Sequence, residues 1–285
     1  MRDIILIDNN QIVISTIFQS LKKFNNIDED YLRHMILNSY RHYRSRFHSE
    51  YGELVICHDS PNCWRTDFYS QYKENRKKTR ADQDLDWNEV YSLMNKIGDE
   101  VKNTFPYKNI KINRLEADDI IAILATRFHE QEKILIVSSD KDFQQLQIYP
   151  NIKQYSSMKK EFLDCENPKM FLLEHIISGD SSDGVPNILS DDDTFVNKDK
   201  RQKSCGKKKI ESFVWLYENG ELTDLAIQRR WERNEKMIDL SRIPSKYTDS
   251  VLGDYEKEPI GKRSKLLDYF IDNKLKNLIG SIQEF

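Results

Sequence analysis

Through the first part of the chain, short apolar blocks alternate with longer amphipathic stretches, and several of the blocks end in acids. "DIILID" (3–8), "ELVICHD" (53–59) and "KILIVSSD" (133–140) are continuous apolar runs of strand length, and "NIKIN" (109–113) is a shorter candidate. Between them, residues 28–46 place Leu32, Ile36 and Tyr40 on one helical face, residues 87–104 form a second helix, and "DDIIAILATRFHE" is amphipathic. This alternation predicts an α/β fold: a mostly parallel, twisted, doubly wound sheet with helices on both faces and "KILIVSSD" in its middle. After residue 180 the strand pattern stops. "KKKIESFVWLYENG", "LTDLAIQRRWERNEKMIDL" and "KRSKLLDYFIDNKLKNLIGSIQEF" are helical stretches, joined to the core through the polar loop "SDDDTFVNKDKRQ". The expected organisation is an α/β core over residues 1–180 and a smaller helical C-terminal region over 181–285, packed beside the sheet.

One connection is out of scale. After the second strand, "WRTDFYSQYKENRKKTRADQ" inserts an aromatic and basic excursion near residues 64–86, longer than an ordinary link in an α/β unit, and such insertions tend to be functional. Net charge of −3 argues against a nucleic-acid partner until its distribution is inspected. Residues 73–80 hold five basic residues and one acid, and residues 198–209 hold seven and one. Aromatics interleave with the first of these runs, which separates it from a merely solvated charged face.

The 285 residues suffice for a sizeable core, and 38% hydrophobic against 32% charged residues is a globular balance. No apolar run approaches the roughly 18 residues needed to span a bilayer, so a soluble, cytoplasmic, monomeric protein without membrane contact is expected. Cys57, Cys63, Cys165 and Cys205 form no paired motif, which fits a reducing compartment. "CHDSPNC" is a poor zinc site because adjacent strand residues Cys57 and His58 face opposite ways.

The acids carry the chemistry. Asp8 follows "IILI", Asp59 follows "LVICH", Asp140 and Asp142 follow "ILIVSS", Glu116, Asp118 and Asp119 sit where a strand gives way to a helix, and "GDSSD" adds Asp180 and Asp183. In an open α/β sheet the carboxyl edge is where sites are built, so these groups are expected in one cleft. Two unit charges about 5 Å apart repel by roughly 3 kcal/mol at an effective dielectric of 20, and Lys141 and Arg114 are the nearest cations in sequence. Divalent cations are the economical counter-charge, and hard oxygen donors without His or Cys select Mg²⁺ or Mn²⁺. Two ions about 4 Å apart activate a water and stabilise the leaving oxygen of a phosphodiester. Any one of these acids is as readily a helix cap, and Asp119, deepest in its helix start, is the most structural member of the set.

Together with "RHMILNSYRH", "WRTDFYSQYKENRKK", "EADDIIAIL", "SSDKDFQQL", "YPNIKQYSSM", "GDSSD", "DLSRIP" and the terminal "SIQEF", these motifs resemble the flap endonuclease and 5′-nuclease superfamily over the whole chain, most closely its bacteriophage ribonuclease H branch. The resemblance implies a first metal site on Asp8, Asp59, Glu116 and Asp118, and a second on Asp140, Asp142, Asp180 and Asp183, partly through bound waters, with Asp119 beside them. It implies two Mg²⁺ ions, replaceable by Mn²⁺, and Mg²⁺-dependent 5′-to-3′ hydrolysis of RNA–DNA and DNA–DNA duplexes and flaps, removing RNA primers during phage replication in the host cytoplasm. "YKENR" matches the family's helical arch, with Tyr72, Lys73 and Arg76 at the characteristic positions and Lys77 and Lys78 following. Lys73 and Arg76 are placed to meet the scissile phosphate, while Phe68, Tyr69 and Tyr72 are expected as stacking faces for unpaired bases.

Lys207, Lys208 and Lys209 are expected to grip duplex phosphates, although here "GVPNI" and "CGKKKI" are separated by an insertion that puts the family's potassium-binding turn in doubt and suggests a loop at 190–204 that orders only on DNA. A sliding clamp or single-strand-binding protein is the partner hypothesis for the terminal "LIGSIQEF". Two readings compete. An aspartate-nucleophile phosphatase needs a second Asp two residues after the first, where this chain has Asn10; a catalytically silent DNA-binding module predicts missing acids.

Overall fold

A computed structural model describes residues 3–81 and 85–285. The apolar run Ile4–Asp8 forms β1, followed by α1 (Asn9–Phe24) and α2 (Glu29–Tyr51), then β2 (Glu53–Cys57). The basic insertion contributes a 3-10 turn at Trp64–Asp67 and α3 (Glu74–Ala81), and α4 (Trp87–Thr104) leads to β3 (Lys108–Ile110). Helix α5 (Ala117–Phe128) and β4 (Ile134–Val137) follow, and a 3-10 segment at Lys141–Ile148 leads to the hairpin of β5 (Ile152–Ser156) and β6 (Glu161–Leu163). The remainder is helical: α6 (Pro168–Ser178), α7 (Lys207–Glu218), α8 (Leu225–Ile238), α9 (Thr248–Glu256), α10 (Leu266–Asp272) and α11 (Lys276–Ile279).

The six strands lie in the order β3-β2-β1-β4-β5-β6, parallel except for β6 at one edge. Strand β4 is central, as its unbroken apolar run predicts, and "NIKIN" supplies only a three-residue strand at the opposite edge. Alternation along β1 divides the core: Ile5 and Ile7 join α1, α2 and α4 on one face, while Ile4 and Leu6 join α5 on the other. The apolar pattern does not single out α1, β5 or β6. Helix α1 follows β1 with no intervening loop because the last strand residue is also its N-cap, Asp8 accepting from Gln11 N at 3.2 Å.

The C-terminal residues do not stand beside the sheet as one block. Helices α7 and α8 join α6 in a third apolar cluster that includes Tyr69 and Tyr72 of the insertion. Helix α9 packs on α5, whereas Leu266, Phe270, Leu275, Leu278 and Phe285 cross to the other face and are buried against Phe105 and Tyr107. Within the terminal segment, for which a partner is expected, Leu278 and Phe285 are buried and Glu284 is bound by Arg41, while Gly280 and Gln283 stay exposed. The 190–204 loop is held as well: Arg230 pairs with Asp191 at 2.7 Å, Arg233 with Asp192 at 2.6 Å, and Asn187 Nδ2 donates to Lys203 O at 2.7 Å. No helix of the described residues is long and apolar enough to cross a membrane.

Candidate active site

At the carboxyl edge of β1, β2 and β4, one cleft of about 170 Å³ is lined by Asp8, Asp59, Glu116, Asp118, Asp140, Asp142, Asp180 and Asp183 together with Lys73, Arg76 and Lys141. Five segments distant in sequence deliver these groups. Strand ends present Asp8, Asp59 and Asp140, the start of α5 presents Glu116 and Asp118, and the turn after α6 presents Asp180 and Asp183. Gly179 makes that turn possible: its φ is +69°, and a Cβ there would lie 2.4 Å from Val185 O.

Four of the acids are held by hydrogen-bond donors. Ser138 Oγ donates to Asp8 Oδ2 at 2.8 Å, Ala117 N to Asp59 Oδ1 at 2.7 Å, and Asp142 N to Asp140 Oδ1 at 2.9 Å. Asn10, which stands where a phosphatase would carry its second Asp, donates to Asp59 instead. Asp180 Oδ1 accepts from Ser182 N at 2.8 Å and Ser182 Oγ at 2.6 Å, while its Oδ2 lies 3.1 Å from both His175 Nε2 and Lys141 Nζ.

The insertion supplies the cations. Lys73 Nζ reaches Glu116 Oε1 at 2.5 Å and lies 3.6 Å from Asp183 Oδ2, and Arg76 pairs with Asp183. Lys73 sits at φ +59° with its amide bonded to Asp183 O at 2.8 Å, so the backbone as well as the side chain ties the insertion to the second acid cluster. Burial disfavours the Lys73 ammonium, but Asp183 and Glu116 outweigh it and push it above the ordinary lysine range.

Charge is balanced unevenly. Burial raises Glu116, but Lys73 and Arg65 outweigh it and hold the carboxyl down to about 2. Burial raises Asp180 too, but His175, Ser182 and Lys141 hold it below the usual range. Burial and Asp59 push Asp8 up to about 7, burial and Asp140 push Asp142 up to about 7, and burial with Asp140 and Asp8 drives Asp118 well above the carboxylate range. Asp142 Oδ1 is buried without a hydrogen-bond partner. Unneutralised, closely set oxygen donors of this kind fit hard divalent cations.

Several expectations need correction. Asp119 does not face the cleft: it is fully buried, lies 2.8 Å from Arg65 Nη1, accepts from Trp64 Nε1 at 3.1 Å and caps Glu116 N at 3.1 Å, so an arginine already neutralises it. Tyr72 is not a stacking face, since its ring is buried and its hydroxyl lies 2.9 Å from both Glu116 Oε2 and Asp183 Oδ2, between which its single proton is shared. Tyr69 is likewise buried, leaving Phe68, at 59% exposure, as the open aromatic of the three. Lys77 is exposed beside Glu74, and the Lys78 side chain and residues 82–84 lie outside the described residues. Lys207, Lys208 and Lys209 are exposed in the first turn of α7 and do not line the cleft.

Sequence reasoning missed Arg65 and His175. Arg65 is buried, reaches Glu116 Oε2 at 3.2 Å and donates through Nε to Met237 O at 2.9 Å, joining the insertion, the acid motif and the end of α8. Its signal was a lone cation beside a tryptophan. That of His175 was a single imidazole inside the apolar "FLLEHIIS".

Comparison with known proteins gives a consistent result. The sequence model of the 5′-3′ exonuclease N-terminal resolvase-like domain matches residues 3–171, and that of the T4 RNase H C-terminal domain matches residues 166–285. The ribonuclease H of Enterobacteria phage T4 is 32% identical over 291 residues, spanning 99% of this chain and 95% of that protein. A flap endonuclease (Xni) of Shewanella piezotolerans is 29% identical over 154 residues, 50% of this chain and 56% of its own length. Among solved structures, the 5′-exonuclease of phage T5 with bound divalent zinc superposes with a TM-score of 0.62 at 16% identity, covering 97% of this chain and 99% of that one. A phage T5 flap endonuclease in a pseudo-enzyme–product complex with DNA and metal ions gives 0.64 at 15%, covering 95% and 98%. At these identities the structural likeness speaks for the fold.

Proposed function

Since the chain belongs to the 5′-3′ exonuclease family and is a nuclease, we propose that it is a Mg²⁺-dependent 5′-to-3′ phosphodiesterase acting on the 5′ ends of RNA–DNA and DNA–DNA duplexes and on flaps, and that it removes RNA primers during phage DNA replication. The observation that carries this reading is the gathering of eight carboxylates from five distant segments around Lys73 and Arg76 in one cleft.

In this reading Asp8, Asp59, Glu116 and Asp118 hold one ion, and Asp140, Asp142, Asp180 and Asp183 hold a second. Bound there, two dications lower the pKa of a water and neutralise the charge developing on the leaving oxygen. The chain's own residues position and discriminate. Ser138, Ala117 N and Ser182 each hold one oxygen of Asp8, Asp59 and Asp180 and so fix the orientation of these carboxylates. Lys73 and Arg76 rest on Glu116 and Asp183 and exchange these carboxylates for the substrate phosphate, whose charge they offset. Tyr72 keeps Glu116 and Asp183 at a set distance behind them. The exposed lysines of α7 meet duplex phosphates outside the cleft, which makes binding steeply salt-dependent.

The test uses a 5′-labelled RNA–DNA duplex with Mg²⁺ or chelator. Cleavage is expected with Mg²⁺ and absent in chelator, and Asp140→Asn is expected to abolish it while leaving duplex affinity, measured in Ca²⁺, nearly unchanged. Wild-type turnover in Asp140→Asn or in chelator refutes the reading.

A further inference from the structure

His175 lies in α6 and is 6% exposed among Leu173, Ile176 and Ile177, all buried and apolar. A residue that served packing alone would share their character. Both of its ring nitrogens instead face carboxylates of the cleft: Nε2 lies 3.1 Å from Asp180 Oδ2, and Nδ1 lies 3.4 Å from Asp142 Oδ1. These two acids come from different elements, Asp142 from the 3-10 segment after β4 and Asp180 from the turn after α6, and the imidazole is the buried side chain that spans them. The Phe171 ring, with its centroid 5.7 Å away, closes one side of the imidazole.

Ser182 and Asp183 N bind Asp180 Oδ1 from within its own turn, and Lys141, from the same 3-10 segment as Asp142, adds a half-exposed tie to Oδ2, which leaves His175 as the buried link. Across the gap, Asp142 Oδ1 and His175 Nδ1 are both buried and neither makes a hydrogen bond. Oxygen or nitrogen atoms of Asp142, His175 and Asp180 all lie within 4.8 Å of one another, close enough for the two carboxylates to address one ion.

We propose that His175 is a positioning residue of the second acid cluster: it spans from α6 to the carboxyl edge of β4 and holds Asp142 and Asp180 at the spacing at which they take up a divalent cation. The role rests on the metal-dependent reading above. It assigns α6, otherwise a packing helix, a part in setting metal affinity. Residues that orient metal ligands without touching the ion typically change affinity 10- to 100-fold when removed.

The experiment compares wild type, His175→Phe, which keeps a ring but no nitrogen, and His175→Gln, which restores one amide. Mn²⁺ is titrated calorimetrically into each protein without nucleic acid, and cleavage is followed against Mn²⁺ concentration and against substrate. His175→Phe is expected to bind Mn²⁺ about 10- to 100-fold more weakly at one site. The Mn²⁺ concentration for half-maximal cleavage should rise in parallel, with KM for the duplex within about twofold of wild type and partial recovery in His175→Gln. Unchanged Mn²⁺ affinity in His175→Phe overturns the proposal, as does a directly coordinated nitrogen in the spin-echo spectrum of bound Mn²⁺, which would make His175 a ligand. Should His175→Phe fail to fold, His175→Gln decides: weakened Mn²⁺ binding supports the role and wild-type affinity overturns it. Wild-type protein that takes up no Mn²⁺ refutes the metal-dependent reading itself, whereas wild-type uptake matched by His175→Phe refutes the role of His175 alone.

Discussion

Two regions of the cleft treat the same kind of side chain in opposite ways. Beside the cations, Glu116 is held down to about 2 by Lys73 and Arg65 against the effect of burial, and Asp180 is held low by His175, Ser182 and Lys141. Where acids face acids, Asp8 and Asp142 are pushed up to about 7 by burial and by neighbouring carboxylates, and Asp118 is raised further still. The difference does not follow from depth, since Glu116 and Asp180 are buried while Asp118 and Asp142 are partly exposed. It follows from where the chain spends its cations. The insertion brings Lys73 and Arg76 to Glu116 and Asp183, whereas among the described residues no lysine or arginine pairs with Asp8, Asp118 or Asp142, the last of which faces His175. A folded protein carries such repulsion only where something outside the chain relieves it or where the groups hold protons.

The sharpest way to break the comparison is Asp118→Asn. If the unneutralised acids form a cation site, this change should lower cleavage by on the order of 10³-fold, the effect of several kcal/mol of lost transition-state stabilisation. The same change should raise the melting temperature in chelator, because it removes a repelling charge; a fall there would mean that Asp118 is structurally satisfied. Next comes Asp119→Asn, which probes the neutralised side. Breaking its buried pair with Arg65 should cost about 3 kcal/mol of stability, read by denaturant unfolding, while Mn²⁺ affinity stays at the wild-type value. Weaker Mn²⁺ binding in that variant would return Asp119 to the metal set.

The smallest effect concerns pH. Asp8 and Asp142 are raised from 3.8 to about 7, so between these limits the native state holds protons that the unfolded chain has released. Metal-free protein should therefore lose stability as pH rises from about 4 to about 7, by up to about 1.4 kcal/mol per proton for each pH unit. Saturating Mg²⁺ should flatten that slope, and thermal melts in chelator and in Mg²⁺ across this range would show whether it does.

Much of the site, though not this contrast, was legible in the sequence. Apolar runs ending in Asp8, Asp59 and Asp140 marked both the strands and the edge at which the acids meet, because a parallel strand buried on two faces needs unbroken apolar residues and its carboxyl end is where the chain turns. The direction of Tyr72 was not legible. An aromatic between basic residues reads equally well as a stacking face, and only the third apolar cluster, with Leu173, Ile177 and Val214, shows why the ring turns inward and its hydroxyl meets two acids. Asp119 was ambiguous for a related reason: one residue along a helix start swings a side chain by about 100°, enough to exchange the cleft for Arg65.

Local chemistry along the chain thus settled the fold class, the convergence of the acids and the cationic insertion, since strand period, apolar continuity and charge runs are properties of neighbours in sequence. Tertiary structure alone decided which acids are neutralised and which are left exposed to one another. Arg65 reaches Glu116 across 51 positions, Tyr72 reaches Asp183 across 111, and Phe285 returns to the face opposite α5. Electrostatic balance depends on distance in space, and a sequence carries distance only along itself.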